Sequence, residues 1–223
     1  MPLTLPFPVL LCVLRVLCGG GFAFDFTILA ILAILAIMAI SYSRIATRLR
    51  VPLGFLFALA YLWFAQPQWI SIASGSVFIV IGLSIRAIAS GHIHKNAQLA
   101  TTGPYAYTRN PLYLGSLIMA MGFIIAARNL WIGVAAVALF FFIYLPVILA
   151  EENYLRSAFS GYAQYAAHVP RLFPRPTPYR IDGNAGLPEF SRELYLRHRE
   201  YNSILGAILM LAALILKLVV FKK

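Results

Sequence analysis

Charge is scarce in this chain, and acidic charge is scarcer still. Only 11% of its 223 residues are charged, and seven Asp and Glu stand against eighteen Lys and Arg. Soluble domains carry about 25% charged residues, so a water-soluble globular domain is excluded. Cysteine is nearly absent: Cys12 and Cys18 both fall in the first apolar segment, which leaves no disulfide framework and no metal-ligand spacing. Of the four histidines only His92 and His94 are close in sequence, which argues against Cys–His metal chemistry and any bound metal. There is no tandem repeat, no low-complexity domain and no run of period-2 segments, so neither a solenoid nor a membrane barrel is expected. The formal charge of +11 is spread between apolar runs. It forms no single basic stripe, and a nucleic-acid surface is not expected.

What is present is apolar sequence: 61% of the residues are hydrophobic. Runs long enough to cross a bilayer recur at 24–43, 70–89, 112–128, 131–150 and 203–221, with a shorter one at 51–66. Residues 3–20 are apolar too but carry Pro6, Pro8 and Gly19-Gly20-Gly21. Nothing basic precedes Arg15, so they read as an extra apolar segment and not as a signal peptide. The fold class is therefore all-α, a polytopic helical membrane protein with about five to seven apolar spans. Residues 1–43 are an apolar N-terminal part, 44–202 a core with polar loops, and 203–223 a last membrane helix. The link Arg128-Asn129-Leu130 is so short that its flanking spans must form an antiparallel hairpin. If every span crosses, loops 44–50, 90–111 and 151–202 share one side. They hold most of the Lys and Arg, which predicts that side to be cytoplasmic.

Two polar segments interrupt this pattern. The first holds Arg86, His92, His94, Lys95, Asn96 and Gln98, then the turn Gly103-Pro104 and the helix start Asn110-Pro111. Taken alone it could be an interfacial loop with an aromatic belt of Tyr105, Tyr107 and Tyr113. The second opens on Glu151-Glu152 at the end of an apolar run. Ionisable groups at a span end are costly and mark a functional site by default. The two acids point about 100° apart on a helix. Glu152 has an i,i+4 cation in Arg156, whereas Glu151 has no such local partner. Tyr154, Phe159, Tyr162 and Tyr165 make an aromatic face that reads as packing or interfacial anchoring. No charge is expected in the middle of a span. A helix is expected at about 188–202.

The run Lys95-Asn96, Leu99, Gly103-Pro104-Tyr105, Tyr107 and Arg109-Asn110-Pro111-Leu112-Tyr113-Leu114-Gly115 resembles the signature of the isoprenylcysteine carboxyl methyltransferase and phospholipid methyltransferase superfamily. So does Glu151-Glu152, Leu155, Phe159, Gly161-Tyr162, Tyr165, Val169-Pro170-Arg171 and Pro174. The likeness covers about residues 70–175. It departs at Asn110, where Arg-His-Pro-x-Tyr is the commoner form. Sterol reductases, which use a nicotinamide cofactor, share a similar motif. The resemblance implies an S-adenosylmethionine pocket facing the cytoplasm. It would be built from Gln98, Leu99, Gly103, Tyr105, Arg109, Asn110, Pro111, Tyr113, Glu151 and Glu152, with Arg109 and Glu151 nearest the chemistry. It also implies a lipophilic acceptor drawn from the bilayer, either an isoprenylcysteine-like carboxylate or a phospholipid amine. A carboxylate is already ionised at neutral pH and needs no base; an amine would need one, with His92 or Glu151 as candidates.

Overall fold

The computed structural model describes Tyr42 and residues 45–49, 51–93, 99–179 and 190–221. The chain divides into two compact units, Met1–Arg44 and Ile45–Lys223, and every element below belongs to the second. The segments 3–20 and, apart from Tyr42, 24–43 lie outside the described residues. So do Cys12, Cys18, His94, Lys95, Asn96 and Gln98.

The described residues are helical, with no strand among them. Helix α1 is Val51–Phe64, α2 Trp69–Ser90, α3 Pro111–Ala127, α4 Leu130–Ala158, α5 Tyr162–His168, α6 Arg192–Arg197 and α7 Tyr201–Phe221. Helices α2, α4 and α7 are long and apolar enough to cross a membrane, and α1 and α3 are shorter apolar helices. The α3–α4 hairpin forms as the short link requires. Arg128 ends α3 in the left-handed region at φ 51°, and the Asn129 side chain accepts from the Trp131 amide to start α4. Pro146 cannot donate to the turn before it, and α4 widens there into a π turn over Phe140–Tyr144. The helix expected over 188–202 is only one short piece. Ser191 caps α6 at Leu194, and Arg199, at φ 53°, turns the chain into α7.

The tightest seam joins α2 and α3. Gly75 and Gly82 on one helix meet Gly122 and Gly115 on the other, in antiparallel order at matched seven-residue spacing. A Cβ at Gly82 would lie 2.5 Å from the Gly115 carbonyl oxygen. Small residues are what allow backbones to approach this closely in a bilayer, where apolar helices gain little from leaving lipid. Ser71 Oγ donates to the Ala126 carbonyl at one end of the seam. At the other end Arg86 Nη1 donates to Leu112 O and Ser116 Oγ.

The two ends of the bundle differ in chemistry. Trp63, Trp69 and Trp131 all stand exposed at one end, where α1 stops and α2 and α4 begin, as an aromatic belt would. Lys217 lies near the C-terminal end of α7, not in the middle of the span. Its ammonium donates to the Leu62 and Trp63 carbonyls at 2.6 and 2.8 Å, capping α1. The opposite end carries both polar segments. The seam makes a plain prediction. Gly82→Val should lower the melting temperature in detergent through overpacking, a cost of about 1–3 kcal/mol. Gly161→Ala, whose Cβ would meet nothing, should leave it unchanged.

Candidate functional site

The segments 105–109 and 169–179 are zipped together by their backbones. Arg109 N donates to Pro170 O at 2.9 Å, Arg175 N to Tyr107 O at 3.0 Å and Tyr179 N to Ala106 O at 2.9 Å. Thr108, buried, donates its hydroxyl to the Arg171 and Leu172 carbonyls, both at 3.1 Å. Beneath the zipper Tyr162, Tyr165 and Val169 form a small core, and Tyr165 donates to Tyr105 O at 2.7 Å. Burial holds the Tyr105 and Tyr165 phenols well above the ordinary tyrosine range, so both stay protonated donors.

Glu152 sits at the centre. It is only 6% exposed. Arg171 bonds it through Nε at 3.0 Å and Nη2 at 2.9 Å. Arg109 Nη1 reaches it at 3.4 Å, and Asn110 Nδ2 donates to it at 3.0 Å and to the Arg171 carbonyl at 3.2 Å. The bond to Glu152 raises the Arg171 guanidinium above its ordinary value, against a smaller opposing effect of burial. The i,i+4 pairing with Arg156 does not form. Arg156 instead lies over the Tyr162 ring, 5.9 Å from its centroid. Asn110, standing where a histidine is commoner in the resembling sequences, supplies two donors to this cluster and needs no imidazole for that work.

Glu151 points elsewhere. It is exposed and accepts from the Tyr113 hydroxyl at 3.0 Å. It lines a cavity of about 1150 Å³ together with Leu99, Tyr105, Arg109, Asn110, Tyr113, Tyr154 and Tyr162 at the polar end. From there the cavity runs between α1, α3, α4 and α7 to Phe123, Ile132 and Ala136, where its wall is apolar. Among the described residues Arg109 Nε and the Tyr162 hydroxyl, both buried at the polar end, have no well-aligned hydrogen-bond partner, although the Arg109 side chain lies close enough to the phenol to act on it. Burial pushes the Tyr162 phenol up and Glu152 adds to that, while Arg109 opposes both.

Of the expected site residues, Leu99, Tyr105, Arg109, Asn110, Tyr113 and Glu151 thus converge on one cavity. Glu152 stands behind them in the ionic cluster, and Pro111 is buried as the first residue of α3. Gly103, at φ 57°, passes so close to His92 that a Cβ there would lie 2.6 Å from the ring. Gln98 lies outside the described residues. Sequence reasoning left Arg171 out of the site, although it belongs to the Val169-Pro170-Arg171 run. It also missed the pairing of Arg86 with Glu200. Arg86 Nε and Nη2 bond both Glu200 oxygens at 2.8–3.1 Å, and Ser203 donates to the same carboxylate. Among the described residues no three His, Cys, Asp or Glu side chains gather as a metal site would require.

Comparison with known proteins agrees with this arrangement. Residues 55–161 match the sequence model of the phospholipid methyltransferase family. The cobalt-zinc-cadmium resistance protein CzcN of Cupriavidus metallidurans is 31% identical over 133 residues, which cover 56% of this chain and 62% of that protein. The nickel-cobalt-cadmium resistance protein NccN of Alcaligenes xylosoxydans xylosoxydans is 30% identical over 88 residues, 40% and 41% of the two chains. The protein-S-isoprenylcysteine O-methyltransferase of Schizosaccharomyces pombe is 29% identical over 144 residues, 60% and 59%. The chain spans about six tenths or less of these relatives. No solved structure matches it significantly. These matches support a relationship between the helical core with its Arg109–Glu152 junction and the integral-membrane methyltransferases, the superfamily of the phospholipid and isoprenylcysteine enzymes.

The geometry separates the two acids experimentally. Removing one partner of a buried pair costs about 3–5 kcal/mol, and the 40% exposure of the Arg171 side chain moves Glu152→Gln to the lower end. Glu152→Gln should therefore lower the melting temperature by several degrees, and Glu151→Gln should not change it. Equal melting temperatures for the two variants would mean that the Glu152 cluster does not hold the polar segments together.

Proposed function

We propose that this protein is an integral-membrane methyltransferase that uses S-adenosylmethionine and acts on a lipophilic acceptor. The acceptor group is the carboxylate of an isoprenylcysteine-like molecule, and the site faces the cytoplasm. The observation that carries the reading is the cavity itself: one end is polar and ionic, and the other is an apolar space among membrane helices.

The residues present fit the amino-acid portion of such a cofactor. Glu151 is an open carboxylate suited to an ammonium group. Arg109 lines the cavity with a guanidinium suited to a carboxylate. Tyr105 and Tyr113 supply aromatic wall, and Leu99 and Asn110 complete the polar end. When bound, S-adenosylmethionine supplies an electrophilic methyl group on a sulfonium cation. The chain's own part is positioning and the exclusion of water. The zipper 105–109/169–179 closes the polar end, and the apolar helices leave the acceptor's tail among hydrocarbon. Among the described histidines, His92, His168 and His198 are each engaged with a backbone carbonyl, and none lines the cavity. A carboxylate acceptor requires no base, which is why it is preferred. The second reading is a phospholipid amine acceptor. It draws support from the matched family and from Glu151, the acid that lines the cavity and could take the proton.

Calorimetric titration of purified protein should show binding of S-adenosylhomocysteine and not of NADPH. The reverse result would make the protein a reductase. Glu151→Gln should weaken S-adenosylhomocysteine binding on the order of tenfold to a hundredfold, since a hydrogen bond to a charged group contributes about 1.5–3 kcal/mol. Arg109→Lys keeps the charge but loses the planar fork, and it should lose most methyl transfer. Full activity in that variant would reduce Arg109 to a counter-ion of Glu152.

A further inference from the structure

Two glycines on the cavity wall are not explained by packing. On α7 the residues facing the cavity are Ser203, Gly206, Ala207 and Met210, and one stripe of α1 presents Gly54, Phe57, Ala58 and Tyr61. Both stripes follow i, i+3, i+4, i+7, a single helix face. At Gly75, Gly82, Gly115 and Gly122 a Cβ would strike the neighbouring helix. At Gly54 and Gly206 it would meet no described residue within 4 Å. Glycine is a poor residue for a helix interior because its backbone loses the most freedom on ordering. Two open glycines on two helices, facing one space, therefore serve that space.

The α7 wall is also held at both ends. Glu200, just before the helix, is gripped by Arg86 of α2. Near its other end Lys217 is bonded to the last carbonyls of α1. Bulk added at Gly206 would enter the cavity and would not push the helix aside. Gly54 lies in the first turn of α1 and Gly206 in the second turn of α7, both toward the polar end. A tail reaching from the Arg109–Glu151 region to the apolar depth at Phe123 and Ile132 shares the cavity with them.

From these positions we infer that Gly54 and Gly206 set the length of alkyl or prenyl tail that the cavity accepts. The inference rests on the lipophilic-acceptor reading above. Substitution by a large apolar side chain at either position should reject long tails and spare short ones. The helix should not suffer, because almost any residue is a better helix former than glycine.

The test uses the full chain in lipid nanodiscs, with Gly206→Phe and Gly54→Phe beside the wild type. Binding of N-acetyl-S-prenylcysteine, its geranyl homologue and its farnesyl homologue is titrated in each, with S-adenosylhomocysteine in parallel. Apparent affinity should fall by about tenfold or more for the farnesyl compound, because its tail buries the most apolar surface. The prenyl compound and S-adenosylhomocysteine should bind as in the wild type. Unchanged farnesyl binding in both variants overturns the inference, and so does an equal loss for all three tails. A wild type that binds tails but no S-adenosylhomocysteine would remove the methyltransferase reading and leave the length filter standing. A wild type that binds S-adenosylhomocysteine and no tail would remove the filter and the lipophilic acceptor together.

Discussion

The ionic cluster around Glu152 is the interaction on which the polar end of the molecule depends. One buried carboxylate takes bonds from Arg171 and Arg109 and from the Asn110 amide. Those three donors come from the turn before α3 and from the segment after α5, and the acceptor comes from α4. Without the acid, two guanidinium groups would lie together, one of them largely buried, with nothing to balance them. A buried pair of this kind adds little net stability against an apolar alternative, but its removal on one side only is expensive. Its contribution is therefore register. It fixes which residues of 105–110 meet which residues of 169–175, and the backbone zipper follows from that.

The membrane part is held by a different kind of contact. Helices α2 and α3 approach through glycine and are fastened by Ser71 at one end and Arg86 at the other. This rigid pair carries the start of α3, and with it Asn110 and Tyr113, to the mouth of the cavity. Helix α7 packs less closely; Leu214 and Leu218 enter the apolar core, and its ends are fixed at Glu200 and Lys217. The wall that lines the cavity is thus fixed without being filled.

The sequence told most where the determinants are local. The α3–α4 hairpin was legible because three residues between two apolar runs leave one geometry. The start of α3 was legible from Asn110-Pro111, and the convergence of 99–113 with the Glu151 helix from the resemblance. What escaped it was partner choice over distance. The i,i+4 rule pointed from Glu152 to Arg156, yet the partners lie 43 residues before and 19 residues after it. Glu200 and Arg86 are 114 residues apart, and Lys217 finds carbonyls some 155 residues away. In a helix of low charge density each polar group takes the partner that spares it from lipid, and only the tertiary arrangement says which partner that is. The expected helix at 188–202 failed for a related reason: alternating charges suit a helix, but the backbone bond from Ser191 to Gly91 and the turn at Arg199 serve the docking of α7 instead.

Adjacent acids on one helix resolve into two roles because of the helix itself. Successive residues point about 100° apart, so Glu151 and Glu152 cannot share a partner set. Glu152 turns inward and is saturated by cations; Glu151 turns to the cavity and accepts from the Tyr113 hydroxyl. Had both faced inward, two anions would have competed for Arg109 and Arg171. Had both faced the cavity, those arginines would have been left unbalanced in a place where burial is costly. The division gives a neutralised scaffold and one open carboxylate a residue apart. An open carboxylate beside a fixed arginine is what a zwitterionic ligand requires, and the same hundred-degree step that forbids the acids a common target provides it.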